Sequence, residues 1–317
     1  MKVTIIITAW KEHKSIGHNL ETLIRPEFNN IPEIDYEIML ICPDELTRET
    51  AERKLVELNF DFNKYVHIED PAEGKPTALN LGFRKATGDI LILTDGDTYI
   101  GANSINPLIE KLLSDESIGA VSGRPISSDR SSSILGYWGH LLSDAAHHKR
   151  TVTLTSNKGG TSSKIITNKD FFTLSGYLCA LYKPKFKLPK DVLADDAYMS
   201  YMIIKSKKRI AYEPQATVYI KYPTSIKDWY NQKARSLGGY IQLWKYGFVT
   251  EKNKTRSFWH ELEYFWFPIK YAKSLRELVF SLLLYPTRLI LWIRIAYERK
   301  IKKKSFEKTW VRIESTK

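Results

Sequence analysis

The 317-residue sequence predicts an α/β protein: a mostly parallel, Rossmann-like sheet flanked by helices on both faces. Three observations predict it. Apolar, β-branched runs alternate with helical patterns through the first 122 residues. The opening run, MKVTIIITAW, reads as a buried first strand; it is too short for a signal h-region and lacks a small-residue cleavage site. And Asp95-Gly96-Asp97 closes the run DILILT, at the carboxyl end of a strand, where such sheets place their ligands.

The elements follow in order. Val3 to Ala9 is the first strand, Ser15 to Ile24 a helix and Tyr36 to Cys42 the second strand. Leu46 to Leu58 is a charged amphipathic helix opening near Thr47, and Tyr65 to Ile68 a short third strand. Pro76 to Ala86 carries small and apolar residues at helical spacing, Asp89 to Thr94 is the fourth strand, Ile105 to Leu113 a helix and Ala120 to Ser122 a short strand. Beyond it the pattern is less regular. Ser127 to Lys149 starts as a Ser-rich loop and runs into a helix, and Thr151 to Asp170 is polar with a Gly159-Gly160 turn. Ala197 to Lys205 and Ile226 to Trp244 are helical; Arg209 to Glu213 and Thr217 to Ile220 read as two strands. The pattern breaks between Tyr246 and Ser257. Two regions are expected: 1–245 as a catalytic domain, with a donor half to about 122 and an acceptor half beyond it, and 246–317 as an aromatic and basic helical region.

Composition narrows the class. At 43% hydrophobic and 26% charged the chain has ample core material, which excludes wholesale disorder, and 16 Gly with 13 Pro exclude collagen-like character. Cys42 and Cys179 lie far apart, so neither a disulfide framework nor a cysteine zinc site is expected, and a reducing compartment fits. The net charge of +12 is concentrated near the end, where Arg299 to Lys308 reads RKIKKKSFEK after an aromatic, apolar stretch, Phe258 to Tyr297. Arg276, Arg288 and Arg294 break that stretch, and no 18 uncharged apolar residues run together. This pattern predicts helices lying in a membrane interface rather than crossing it; the alternative is that they pack on the catalytic core. No nucleic-acid motif accompanies the charge, so no nucleic acid is expected as a partner.

Several residues carry chemistry by type and position. Two carboxylates in a D-x-D can hold a divalent hard cation and a diphosphate together. Asp195-Asp196 opens a helix, where acidic residues also serve as dipole-matched caps; the functional alternative is a general base. Gly74-Lys75 precedes a helix but lacks the P-loop frame. Gln232 and Arg235, three apart, share a helical face, as a solvated pair would. The seven histidines form no metal signature, and the adjacent His147 and His148 read as surface residues.

Together these motifs resemble the inverting family 2 glycosyltransferases of GT-A fold, in the membrane-associated branch of cellulose, hyaluronan, chitin-oligosaccharide and poly-N-acetylglucosamine synthases. The resemblance spans about Met1 to Leu243. TIIITAWKE is similar to the family's first strand and N-E pair, with Lys11 in place of Asn, and implies donor contacts at Ala9 and Glu12. ICPDELTRET places Asp44 at the aspartate that binds the base. EGKPTALNLGFRKATGDILILTDGDT carries the most specific match: it implies donor contacts for Lys75, Asp95 and Gly96, and metal binding at Asp97 with Asp95. LSGYLCALYK, with Gly176 and Tyr177, is similar to the acceptor-side segment. Asp195-Asp196 matches the E-D pair, Asp196 as catalytic base, and Gln232 and Arg235 match a Q-x-x-R-W element whose Trp is Ser236 here. The resemblance implies Mg²⁺- or Mn²⁺-dependent, inverting transfer from a nucleotide-diphosphate sugar, a UDP-sugar by the family pattern, to a lipid-linked or glycan acceptor. The location it implies is peripheral, on the cytoplasmic side of the cell membrane. Two alternatives stand beside it: a nucleotidyltransferase of sugar-nucleotide metabolism, and a non-catalytic membrane-surface binding protein on the same fold.

Overall fold

The structure, a computed structural model, describes residues 1–24, 34–156, 172–248, 261–262, 264–300 and 316, with the backbone alone at 153–156 and 299–300. The Gly159-Gly160 turn, the break at Tyr246 to Ser257 beyond Phe248, and the basic tail beyond Lys300 lie outside those residues.

In chain order the elements are β1 (Lys2–Thr8), α1 (Ile16–Leu23), β2 (Asp35–Ile41), α2 (Glu45–Glu57), β3 (Tyr65–Ile68), α3 (Lys75–Lys85), β4 (Ile90–Asp95), β5 (Tyr99–Ile100) and α4 (Ile105–Leu113). There follow β6 (Ile118–Ser127), α5 (Ile134–Ser156), β7 (Leu178–Tyr182), α6 (Asp195–Lys205), β8 (Arg209–Ile220), α7 (Ile226–Gln242), α8 (Trp266–Tyr271) and α9 (Leu275–Lys300). The strands form one sheet in the order β3-β2-β1-β4-β7-β6-β8-β5. The β3-β2-β1-β4 half is parallel throughout, so four strand ends point the same way along one edge of the sheet.

Strand periodicity sorts the core. Ile5, Ile7, Ile38, Leu40, Ile90 and Ile92 face α1, α2 and α4, where Ile16, Leu20, Ala51, Leu55 and Leu108 meet them. The alternate residues Ile6, Met39, Ile41, Leu91 and Leu93 face α3 and α6, against Leu79, Phe83, Met199 and Ile203. Each fully buried aliphatic side chain contributes about 1.5–3 kcal/mol, which fixes the register of every central strand. A third cluster joins α5, α7 and α9 through Trp138, Trp229, Leu237, Leu284 and Leu291. The Trp138 and Trp229 rings lie 5.4 Å apart, and Trp138 Nε1 donates to the Phe280 carbonyl at 2.7 Å.

Two expectations are corrected and one element is added. The two strands read at Arg209 to Ile220 are one, with a register jump: Tyr212 pairs with Ser122 and Thr217 with Arg124, so the residues around Pro214 bulge out. Leu178–Tyr182 is a strand, antiparallel between β4 and β6. The arginines interrupt the C-terminal apolar run but lie within one helix, which is long enough to cross a membrane as well as to lie on it. α9 is continuous, and Leu275–Glu298 is long and apolar enough to cross a membrane by length and composition, its most apolar 18 residues averaging a hydropathy of 1.6. Arg288 pairs with Glu261, and Arg294 with Glu298 at 3.0 Å, so both charges are neutralised locally. Cys42 and Cys179 are free and buried.

Candidate active site

The strand ends of the parallel half border a cavity of about 210 Å³. Its centre is the turn after β4. Gly96 N–H donates to the Thr8 carbonyl at 3.0 Å, drawing the ends of β4 and β1 together. A Cβ at Gly96 would stand 2.8 Å from the Cβ of Ala9, so this approach requires glycine. Buried Asn19 on α1 clamps the turn, its Nδ2 donating to the carbonyls of Asp95 at 3.0 Å and Thr98 at 2.7 Å. Thr8 Oγ1 donates to Asp95 Oδ1 at 2.8 Å. Asp95 and Asp97 both line the cavity, with Ala9 and Glu12 from the end of β1.

Lys75 opens α3 beneath this turn, behind Gly74 at φ +98°. Its ammonium lies 2.6 Å from Asp95 Oδ1 and 3.7 Å from Asp195 Oδ2, and donates to the Gly176 carbonyl at 3.2 Å. Burial pulls Lys75 down, but Asp95, Asp195 and Asp196 outweigh it and hold the ammonium charged well above its ordinary range. Burial pushes the Asp95 carboxyl up, and repulsion from Asp97 and Asp195 adds to this against the pull of Lys75. A further cation at the turn would therefore find a carboxylate eager for positive charge. Among the described residues no third His, Cys, Asp or Glu joins Asp95 and Asp97 in a metal-binding group.

The acid pair arrives from the other side. Asp195 and Asp196 begin α6, and Gly176 faces Asp196: a Cβ there would lie 3.6 Å from Asp196 Oδ2. Asp195 Oδ2 is buried without a hydrogen-bond partner, so Lys75 at 3.7 Å is its compensating charge. Helix α7 is locked to the segment before the pair. Gln242 accepts from Leu193 N–H at 2.9 Å and donates to the Asp191 carbonyl at 2.6 Å, and Gly239 packs against Ala194. On the same helix Gln232 and Arg235 reach the cavity rather than bulk solvent. Gln232 Oε1 is buried and unsatisfied among the described residues, on a residue that lines the cavity. Burial pushes the Tyr177 phenol up, keeping it a neutral donor at the cavity wall.

Of the sequence-predicted site residues, Ala9, Glu12, Lys75, Asp95, Asp97, Tyr177, Gln232 and Arg235 line the cavity. Gly96 lies beneath its floor, and Gly176 with Asp195 border a small void below Lys75. Asp44 does not line it. Its carboxylate caps α2, accepting from Thr47 N–H at 3.0 Å and Thr47 Oγ1 at 2.6 Å, and from Lys11 N–H at 2.7 Å. Burial pushes Asp44 up, but those donors outweigh it and hold the carboxyl below its ordinary value. Sequence reasoning missed Trp10, Pro43, Asp70 and Ala72, which line the same cavity after β1, β2 and β3. The signal was there in principle: each follows a strand end. It also missed Asn19 and Thr316, the latter on the cavity wall. His147 is half-buried, its Nδ1 meeting the Tyr212 hydroxyl at 2.8 Å, and His148 is exposed.

The model of the family described as "Glycosyltransferase like family 2" matches residues 1–239. The chain belongs to this glycosyltransferase family. Its fold is the GT-A fold, a mostly parallel sheet flanked by helices. Family membership sets aside the nucleotidyltransferase alternative. Among curated relatives, poly-β-1,6-N-acetyl-D-glucosamine synthase of Staphylococcus aureus is 26% identical over 258 residues, covering 80% of this chain and 58% of that protein. The synthase of Staphylococcus epidermidis is 25% identical over 257 residues, with the same coverage. This glycosyltransferase thus spans little more than half the length of those relatives. Among solved structures, a mannosyltransferase from Pyrobaculum calidifontis in complex with GDP-mannose and Mn²⁺ superimposes with a TM-score of 0.59 at 20% identity, covering 95% of this chain and 88% of that one.

Proposed function

We propose that this chain is an inverting, metal-dependent glycosyltransferase that moves a sugar from a nucleotide-diphosphate donor to a hydroxyl of a lipid-linked or glycan acceptor at a membrane surface. One observation carries the reading: the Asp95-Gly96-Asp97 turn and the Asp195-Asp196 pair converge on a single ammonium, Lys75. Asp97 and Asp95 offer two hard oxygen donors at the cavity, which suits Mg²⁺ or Mn²⁺ once a diphosphate completes the coordination. The cation, when bound, neutralises charge developing on the leaving diphosphate. The chain's own residues do the rest. Arg235, with no carboxylate at ion-pair distance among the described residues, and Lys75 add fixed positive charge beside the phosphates. Asp196 takes the proton of the acceptor hydroxyl. The freed oxygen attacks the anomeric carbon from the face opposite the diphosphate, the bond to the diphosphate breaks, and the configuration inverts.

The membrane side of the reading rests on α9. Its exposed residues are almost all apolar: Leu275, Val279, Leu282, Leu283, Leu289, Ile290, Ile293 and Tyr297. The opposite edge packs on α5 and α7. Such a helix buries one face in protein and offers the other to the acyl boundary. The chain then stays peripheral, on the cytoplasmic face, and residues 246–317 act as its membrane-associating region beside a catalytic domain at 1–245. The first test is diphosphate release from a panel of nucleotide sugars with Mn²⁺, Mg²⁺ or EDTA. Metal-dependent release with one donor, lost in Asp97→Ala, is expected; release that persists in EDTA and in Asp97→Ala would overturn the metal assignment.

A further inference from the structure

One end of the cavity carries a carboxylate that the transfer reading leaves unused. Asp70 follows β3, and Asp95 ends β4. The order β3-β2-β1-β4 puts three strand intervals between them, about 14 Å at roughly 4.8 Å each. Across that span the strand ends present Pro43 after β2 and Trp10 after β1, both on the cavity wall. A nucleoside diphosphate with its phosphates at Asp95 and Asp97 therefore lays its base along Trp10 toward Asp70.

Asp70 is held in place. Its Oδ1 accepts from Ala72 N–H at 2.6 Å. Ala72 adopts φ +56° and Gly74 φ +98°, and Glu73 between them pairs with Lys190 at 2.6 Å. A left-handed alanine costs about 1 kcal/mol and persists only where its surroundings hold it. That strain is spent on a loop whose one cavity-facing charged group is Asp70. Each carboxylate oxygen has two lone pairs, so the turn leaves one on Oδ1 and both on Oδ2.

The bases differ in what they show such a group. Guanine presents two adjacent donors, N1–H and the 2-amino group, spaced to meet two carboxylate oxygens. Uracil presents one N–H between two carbonyls whose lone pairs oppose the carboxylate. Adenine and cytosine present one amino group beside a ring-nitrogen acceptor. Asp44, which the resemblance places at the base, accepts from Thr47 and Lys11 and stands off the cavity wall. We propose that Asp70 reads the base, and that the donor is a guanosine-diphosphate sugar. The proposal rests on the nucleotide-sugar transferase reading above.

Calorimetric titration of the full chain with Mn²⁺ tests it, using GDP, UDP and inosine diphosphate, which is GDP without the 2-amino group. GDP is expected to bind tightest and inosine diphosphate about tenfold more weakly, the worth of one charge-assisted hydrogen bond. Asp70→Asn should weaken GDP about tenfold, narrow the gap between GDP and inosine diphosphate, and leave UDP within about twofold. Asp70→Asn keeps the Oδ1 acceptor for Ala72 N–H; Asp70→Ala removes it, serves as the second variant and should lose the same preference for GDP. UDP binding tighter than GDP, equal binding of GDP and inosine diphosphate, or an unchanged GDP-to-UDP ratio in both variants would overturn the assignment. If those failures occur while Asp97→Ala still weakens every diphosphate, the base assignment falls alone. If none of the three binds, the transferase reading falls with it.

Discussion

Asp44 shows how a residue matched by motif acquires a different measurable role. Its three accepted hydrogen bonds tie the loop after β1 to the start of α2. The folded carboxyl sits below its ordinary value because these donors outweigh burial. A folded value below the unfolded one means stability that is present above the unfolded value of about 3.9 and lost as pH falls through the folded one. Asp44→Ala should therefore cost about 1–2 kcal/mol in denaturant melts at pH 7, and the gap to the parent should close as the pH is lowered below about 4. A pH-independent gap would show that packing, not the ionised cap, carries the effect. Gln232 makes the complementary case. Its buried, unsatisfied Oε1 lowers stability while the cavity is empty of ligand. Gln232→Leu should raise the melting temperature by a few degrees and weaken substrate binding or turnover about tenfold or more; a variant both less stable and fully active would contradict this.

At the scale of elements, the site depends on how α7 meets the start of α6. A Cβ at Gly239 would lie 2.7 Å from the Ala194 Cβ and 3.1 Å from the Ala194 nitrogen, one residue before the acid pair. Gly239→Ala should push that segment aside, costing about 1–3 kcal/mol of stability, and lower turnover about tenfold while nucleotide affinity holds within about twofold. Unchanged turnover would show that α7 does not position the pair. Much of this was legible beforehand. β1, β2 and β4 are long apolar runs, buried on both faces, and local pattern suffices to read them. Leu178–Tyr182 has the same composition but was read by its motif, and its antiparallel place between β4 and β6 depends on distant partners. The bulge in β8 hides a single strand because Pro214 interrupts the local signal. Asp70 was missed because a lone aspartate before proline looks like any turn; only the sheet order lines it up with Asp95.

For the whole molecule, the expected association with a membrane comes down to one helix face and the net charge of +12. Ile290 and Ile293 are 55% and 59% exposed on α9, away from buried Leu291 and Ile295. Replacing both by Glu should release the chain from anionic vesicles in flotation while its circular dichroism and nucleotide binding stay the same. Binding that survives the double change but vanishes in high salt would put the weight on the basic residues. The central claim is that the acid pair and the Asp95-Gly96-Asp97 turn form one catalytic centre with separable tasks. The most direct test compares donor affinity and sugar transfer in Asp196→Ala and Asp97→Ala with the parent. The account predicts that Asp196→Ala binds the donor within about twofold yet transfers about 10²–10⁴-fold more slowly, whereas Asp97→Ala loses metal-dependent donor binding. Transfer at the parental rate by Asp196→Ala would contradict it.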